Sequence, residues 1–153
     1  MDKKMFCFQC EQTVGCAGCT GNAGVCGKKA DTARLQDELT GALIGLAIAV
    51  DSTTAISKRT GQVIIEGLFT TVTNVNFDDA SIENMIQKVR AEKERLVPDC
   101  SKCQSSCGKT DEYDMQQLWN ADEDIRSLKS LILFGIRGMS AYAYLANVLD
   151  YED

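Results

Sequence analysis

The N-terminal segment constrains this chain more than any other part of it. Residues 5–29 hold five of the eight cysteines, with glycines at 15, 18, 21, 24 and 27. They show neither the alternation of a strand nor the period of a helix. Such a segment has no apolar stripe to bury, so its order has to come from something its side chains hold. The glycines let the backbone turn tightly and come close to a bulky ligand. Without proline, and over only five units, their spacing of three is no collagen repeat. The whole chain, 153 residues, is long enough for one domain and too short for two comfortable ones.

The residues that are absent narrow the chemistry further. There is no histidine, which removes Ser-His-Asp and Cys-His catalysis, His-ligated zinc and haem through a proximal His. A net charge of −6 argues against a nucleic-acid or anionic-membrane surface. The start, Met1 to Cys7, has two lysines but no apolar run, so it does not read as a signal peptide. The most apolar stretch, Leu128 to Leu149, is interrupted by Lys129 and Arg137 and reads as a buried helix rather than a membrane span. A cytoplasmic location follows as the expectation. Thiols stay reduced there, so eight cysteines point to metal rather than to a disulfide framework.

Beyond the first loop the chain reads as helices, with a second cysteine loop before the last. Asp31 is a candidate N-cap for a helix over 31–50, whose Leu35, Leu39, Leu43, Leu46 and Val50 form one apolar stripe. A second helix is expected over 55–73, with Val63, Ile64, Gly67 and Leu68 inward, although its end is rich in β-branched threonines. Residues 73–78 read as a turn. Asp78 or Asp79 caps a third helix to residue 96, with Ile82, Met85, Ile86, Val89 and Leu96 on one face and Arg90, Lys93 and Arg95 outside; Pro98 stops it. Residues 97–121 form the second cysteine loop. The last helix, 122–149, is apolar nearly all round beyond Leu131, the mark of a helix covered on more than one side. The rest of so short a chain can hardly cover it, so a large partner is expected. The fold class is therefore all-α: a single helical domain over 1–153, a bundle of three or four helices behind a Cys-rich N-terminal loop.

Cys7, Cys10, Cys19 and Cys26, with Cys16 between, offer four or five thiolates within twenty residues. An iron–sulfur core needs four soft anionic ligands and a loop able to wrap it. Backbone amides at the glycine turns can donate to the sulfurs, and Phe6, Phe8 and Val25 are placed to limit water access. Zinc is the main competitor, because Cys7, Cys10, Cys16 and Cys19 are formally two C-x2-C knuckles. Their gap is far shorter than the roughly 15–20 residues of a zinc ribbon. The common ferredoxin spacings do not match either. Spacing alone leaves iron–sulfur, zinc, and thiol or disulfide chemistry open, in that order.

Several segments carry a resemblance. Met5-Phe6-Cys7-Phe8-Gln9-Cys10-Glu11-Gln12-Thr13, Gly18-Cys19 and Gly24-Val25-Cys26-Gly27-Lys28 closely resemble the N-terminus of the hybrid cluster proteins, also called hydroxylamine reductases or prismane proteins. So do Leu35-Gln36-Asp37, Thr73 to Asp78, Ser127 to Gly135 and Ala141-Tyr142-Ala143-Tyr144. The resemblance implies that Cys7, Cys10, Cys19 and Cys26 hold the iron of a proximal cluster near the start of a helical domain. The C-x2-C-x8-C half resembles the branch with a [4Fe–4S] cubane. The last gap is one residue longer than usual there, and [2Fe–2S] is the alternative. In that family the hybrid iron–sulfur–oxygen cluster that reduces substrate is held by His, Glu and Cys of later α/β domains, which this sequence does not contain. Where the family often has a His after Ala-Tyr-Ala-Tyr, this chain has Leu145.

The resulting expectation is the electron-transfer portion of a hydroxylamine reductase, an oxidoreductase when complete, with no catalytic residue in this chain. Its expected partners are the remaining domains or a second copy through the last helix, and an electron donor protein, with no nucleic acid and no membrane. The alternative is a zinc-stapled helical interaction module without redox activity. Cys16 reads as a spare thiol, and Cys100, Cys103 and Cys107 as redox-labile thiols that lack a fourth ligand. Tyr113, Trp119, Tyr142 and Tyr144 read as packing residues. Glu11 and Asp37 read as solvated or loop-bonded rather than catalytic.

Overall fold

A computed structural model of the chain describes residues 5–10, 17–51, 56–96 and 113–151. Five helices lie in them: α1 Ala30–Asp51, α2 Lys58–Thr70, α3 Asp79–Leu96, α4 Met115–Trp119 and α5 Glu123–Val148. The described residues contain no strand, only one isolated antiparallel bridge between Cys7 and Cys19. The fold is all-α.

The core forms where the apolar stripe of α1 meets α3 and α2. Leu35, Leu39, Leu43, Leu46 and Val50 of α1 are buried with Ile82, Met85, Ile86 and Val89 of α3 and Val63 of α2. Ile64, Leu68 and Leu96 pack against that cluster from its edges. Gly67 lets α2 come close to α1, since a Cβ there would stand 2.7 Å from Leu43 Cδ2. α5 is held mainly by α2, with α4 bridging α1 and α5.

Several local readings change. Asp31 lies inside the first turn of α1 rather than capping it. α2 is shorter than expected at both ends. Ser57 caps it by accepting from the Thr60 amide, and the threonine-rich tail past residue 70 turns away. Asp78 is the acid that supports α3, its Oδ1 accepting from the Ala80 amide at 3.2 Å. α4 lies within a segment read as loop; Asp114 caps it, and Met115 and Leu118 bury one face. α4 approaches α1 closely, because a Cβ on Gly41 would run into the Tyr113 carbonyl oxygen.

α5 is left largely uncovered by this chain, in keeping with the expectation that the rest of the chain can hardly cover it. It is covered on one side only: Leu131, Met139 and Tyr142 are 65%, 71% and 80% exposed. Tyr144 does pack, stacked on Phe69 with ring centroids 4.3 Å apart. By length and composition alone α5 is apolar enough to cross a membrane. Its Arg137, however, is buried against α1 and α2, donating to Thr40 Oγ1 at 2.9 Å and Thr71 Oγ1 at 3.0 Å.

Glu92 is a charged residue inside the α2–α3 contact. Its carboxylate accepts from Thr60 Oγ1 at 2.7 Å, Arg95 at 2.6 Å and Arg59 at 3.0 Å. These donors, Arg95 first, hold its carboxyl down at about 2. Because the folded value lies below that of the unfolded chain, its stabilisation is complete above the ordinary glutamate value of about 4.3 and is lost as pH falls toward 2. Glu92→Ala removes the buried acceptor shared by Thr60 and two arginines; the Thr60 hydroxyl keeps Ser57 Oγ at 2.7 Å, and the arginines remain partly in water. The expected cost is about 2 kcal/mol at neutral pH, read as a lower urea midpoint at unchanged slope. The gap to the unsubstituted chain narrows as the pH is lowered toward 2.

Candidate metal centre

The cysteine loop folds over the N-terminal half of α1. Cys7 and Cys19 exchange backbone hydrogen bonds, Cys19 N to Cys7 O at 2.7 Å and Cys7 N to Cys19 O at 3.1 Å. Both side chains are buried, with Met5 and Ala33 around them. Cys10 is half-buried and Cys26 is exposed, and all four are free thiols. Of the described glycines with the regular spacing, only Gly18 and Gly27 need glycine for their backbone, with φ of 83° and 84°. Gly18 also faces the Cys7 carbonyl, which a Cβ would approach to 3.2 Å.

Burial pushes the Cys7 thiol up from its ordinary value. A hydrogen bond from the Gln9 backbone and the nearby Lys28 ammonium oppose that shift, so these groups favour the thiolate. The Gln9 side chain, between Cys7 and Cys10, is buried and fully used. Its Nε2 donates to Ala33 O and Asp37 Oδ1, both at 2.8 Å, and its Oε1 accepts from Lys28 Nζ at 2.6 Å. Asp37 is thus loop-bonded, as one of the two readings had it. Burial, helped by the nearby Asp114, raises its carboxyl to about 6, against the pull of the Gln9 amide, Arg137 and Lys28.

Three of the segments that carry the resemblance meet here. Gln36 donates to Asn76 O at 2.7 Å, and Thr32 donates to Asp79 Oδ1 at 2.6 Å, while Asp37 holds Gln9 of the cysteine loop. The Leu35-Gln36-Asp37 turn of α1 therefore fixes both the 73–78 turn and the loop between Cys7 and Cys10.

The aromatic cover differs from expectation in one residue. Phe6 and Phe8 do pack over the loop, but their partner is Trp119 of α4, with centroids 5.3 Å and 5.0 Å away. Arg126 lies 4.9 Å from the Trp119 ring centre and donates to its carbonyl. Val25 is 62% exposed and shields nothing. Gln9, Lys28 and Arg137 had no assigned role in the sequence. The signal available was that Gln9 and Lys28 lie within one or two residues of the cysteines and inside the motif segments.

Cys16 and Glu11, and Cys100, Cys103 and Cys107 with most of the second cysteine loop, lie outside the described residues. Among the described residues no three His, Cys, Asp or Glu side chains are grouped to hold a single metal ion. A zinc staple needs four ligands about 2.3 Å from one ion, whereas a cubane spreads four cysteines over its irons. Four free cysteines in one glycine-hinged loop are the donor set that an iron–sulfur group takes.

The fold and this loop define an all-α domain that opens on a cysteine-rich loop, and comparison with known proteins makes the class specific. The chain belongs to the Prismane/CO dehydrogenase family, whose sequence pattern matches residues 5–153. It is similar to a hydroxylamine reductase of Porphyromonas gingivalis, 39% identical over 173 residues, covering 100% of this chain and 31% of that protein. Those of Methanococcus vannielii and Clostridium perfringens are 38% and 36% identical, each covering 97% of this chain and 31% of the relative. The chain spans about a third of the length of the curated relatives it matches.

Proposed function

We propose that this chain is the iron–sulfur electron-transfer portion of a cytoplasmic hydroxylamine reductase, with Cys7, Cys10, Cys19 and Cys26 holding one [4Fe–4S] cluster. The observation that carries the reading is the loop itself. Four free cysteines are hinged by Gly18 and Gly27, and two of them are locked side by side by a backbone bridge. Family membership over residues 5–153 and relatives named hydroxylamine reductase support the substrate class.

Once bound, such a cluster supplies a site that takes up and returns one electron at a time. The chain's own residues do the rest. The four thiolates bind the irons, and the Gln9 backbone donates toward Cys7. Phe6, Phe8 and Trp119 keep water from one side of the loop. Lys28 and Asp37, bridged by the Gln9 amide, tie the loop to α1. In the complete protein a group held by Cys7, Cys10, Cys19 and Cys26 would relay electrons from a donor protein toward a hybrid cluster of the remaining domains, where hydroxylamine or nitric-oxide-related species would be reduced. The outward face of α5 is the surface those domains cover.

Reduction of hydroxylamine to ammonia needs an open metal position, and a cubane with four cysteine ligands offers none. With a reduced viologen as donor, the isolated chain is expected to give no turnover above the viologen blank. A full-length protein carrying this segment turns over, and loses at least about 100-fold with Cys10→Ser. Turnover by the isolated chain at the full-length rate would contradict the assignment.

A further inference from the structure

The charges around the cysteine loop do not balance. Lys28 is 4% exposed, and its ammonium donates to the neutral Gln9 Oε1; no carboxylate pairs with it among the described residues. Arg137 is likewise 4% exposed, and its guanidinium donates to the hydroxyls of Thr40 and Thr71. Those hydroxyls in turn donate to the Gln36 and Leu68 carbonyls, so they too are neutral partners. Among the described residues Asp37 is the one carboxylate hydrogen-bonded into this network, reached through the Gln9 amide, while the nearby Asp114 is exposed to water. Two buried cations against that one bonded carboxylate leave a positive excess inside, and a buried charge persists only where an opposite charge answers it. The groups available to answer it are the cysteines of the loop: Lys28 lies two residues from Cys26, and Gln9, which Lys28 and Asp37 both hold, lies between Cys7 and Cys10.

We propose that Lys28 and Asp37, on either side of the Gln9 amide, are positioning residues that set the reduction potential of the cluster held by Cys7, Cys10, Cys19 and Cys26. The inference rests on the function proposed above. Reduction adds one electron and no proton, and breaks no bond, so the site becomes one charge more negative. A nearby cation favours that state and a nearby carboxylate opposes it; net charge and hydrogen bonding are the levers by which proteins move such potentials. Arg137 supports the same sign from α5.

The test is a redox titration of the anaerobically reconstituted chain at pH 8, where Asp37 is ionised, followed by visible absorption at a fixed ratio of oxidised to reduced viologen. Lys28→Met is expected to lower the ratio of reduced to oxidised cluster by about five-fold, and Asp37→Asn to raise it by about five-fold. The Asn side chain keeps an oxygen for the Gln9 amide. Lys28→Arg stays near the unsubstituted chain, and so does Lys29→Met at the exposed neighbouring position. Loosening of the loop cannot produce opposite signs. Shifts in the same direction, or none, overturn the inference. If Lys28→Met fails to take up iron, Asp37→Asn decides alone, and absence of its upward shift overturns the proposal. Failure of the unsubstituted chain to take up iron sinks the cluster reading itself, and is read separately from iron content.

Discussion

Serine at Cys7, Cys10, Cys19 or Cys26 is expected to bring the iron of the reconstituted chain from about four per chain to below about one, while Cys16→Ser leaves it unchanged. The effect is large because a hard alkoxide ligand replaces a soft thiolate at one corner, and no spare imidazole exists in a chain without histidine. Cys7 and Cys19 should be the most sensitive. They are buried and share the backbone bridge, so a lost ligand there cannot be replaced by water without opening the loop. Cys26, exposed at the Gly24–Lys28 turn, has room to move. Its serine variant is expected to keep more iron than the Cys7 variant. Iron and sulfide analysis of the four single variants, with near-unsubstituted loading in any of them, would remove that residue from the ligand set.

The second large effect is association through α5. Leu128, Leu131, Ile132, Met139 and Tyr142 are each at least 60% exposed, along a helix held mainly from one side. An apolar patch of that extent rarely stays bare in water. The isolated chain is expected to run at twice its monomer mass or more in light scattering at tens of micromolar. The double variant Ile132→Glu with Met139→Glu should be a monomer with unchanged helix content, because neither side chain belongs to the buried core. A strict monomer for the unsubstituted chain would show that this face needs no cover.

What the sequence reveals here depends on how far apart the interacting residues are. The α1 stripe and the α3 face are legible because each repeats over four or more turns, and all five stripe residues of α1 are buried. α4 is five residues long, shorter than any window in which a period can be counted, although the Asp114 cap is a visible local signal. For α5 the sequence shows that this short chain can hardly cover so apolar a helix, but not what does cover it. An all-apolar helix reads alike whether its cover is in the same chain or elsewhere.

At the metal centre, the cysteines and the aromatic residues beside them are local, and the sequence exposes them. Trp119 as their cover and the Lys28–Gln9–Asp37 bridge are not, because these contacts join residues that only α1, α4 and the loop bring together. Val25, apolar and next to Cys26, was the plausible shield by position. The tight turn joining Gly24 and Lys28 leaves it outward instead.

Whether this loop holds an iron–sulfur cluster is read from the metal content and visible spectrum of protein purified and reconstituted without oxygen. The expected result is about four irons per chain and a broad absorption near about 400 nm that dithionite bleaches. One zinc per chain in native material, with no iron taken up on reconstitution, would contradict it.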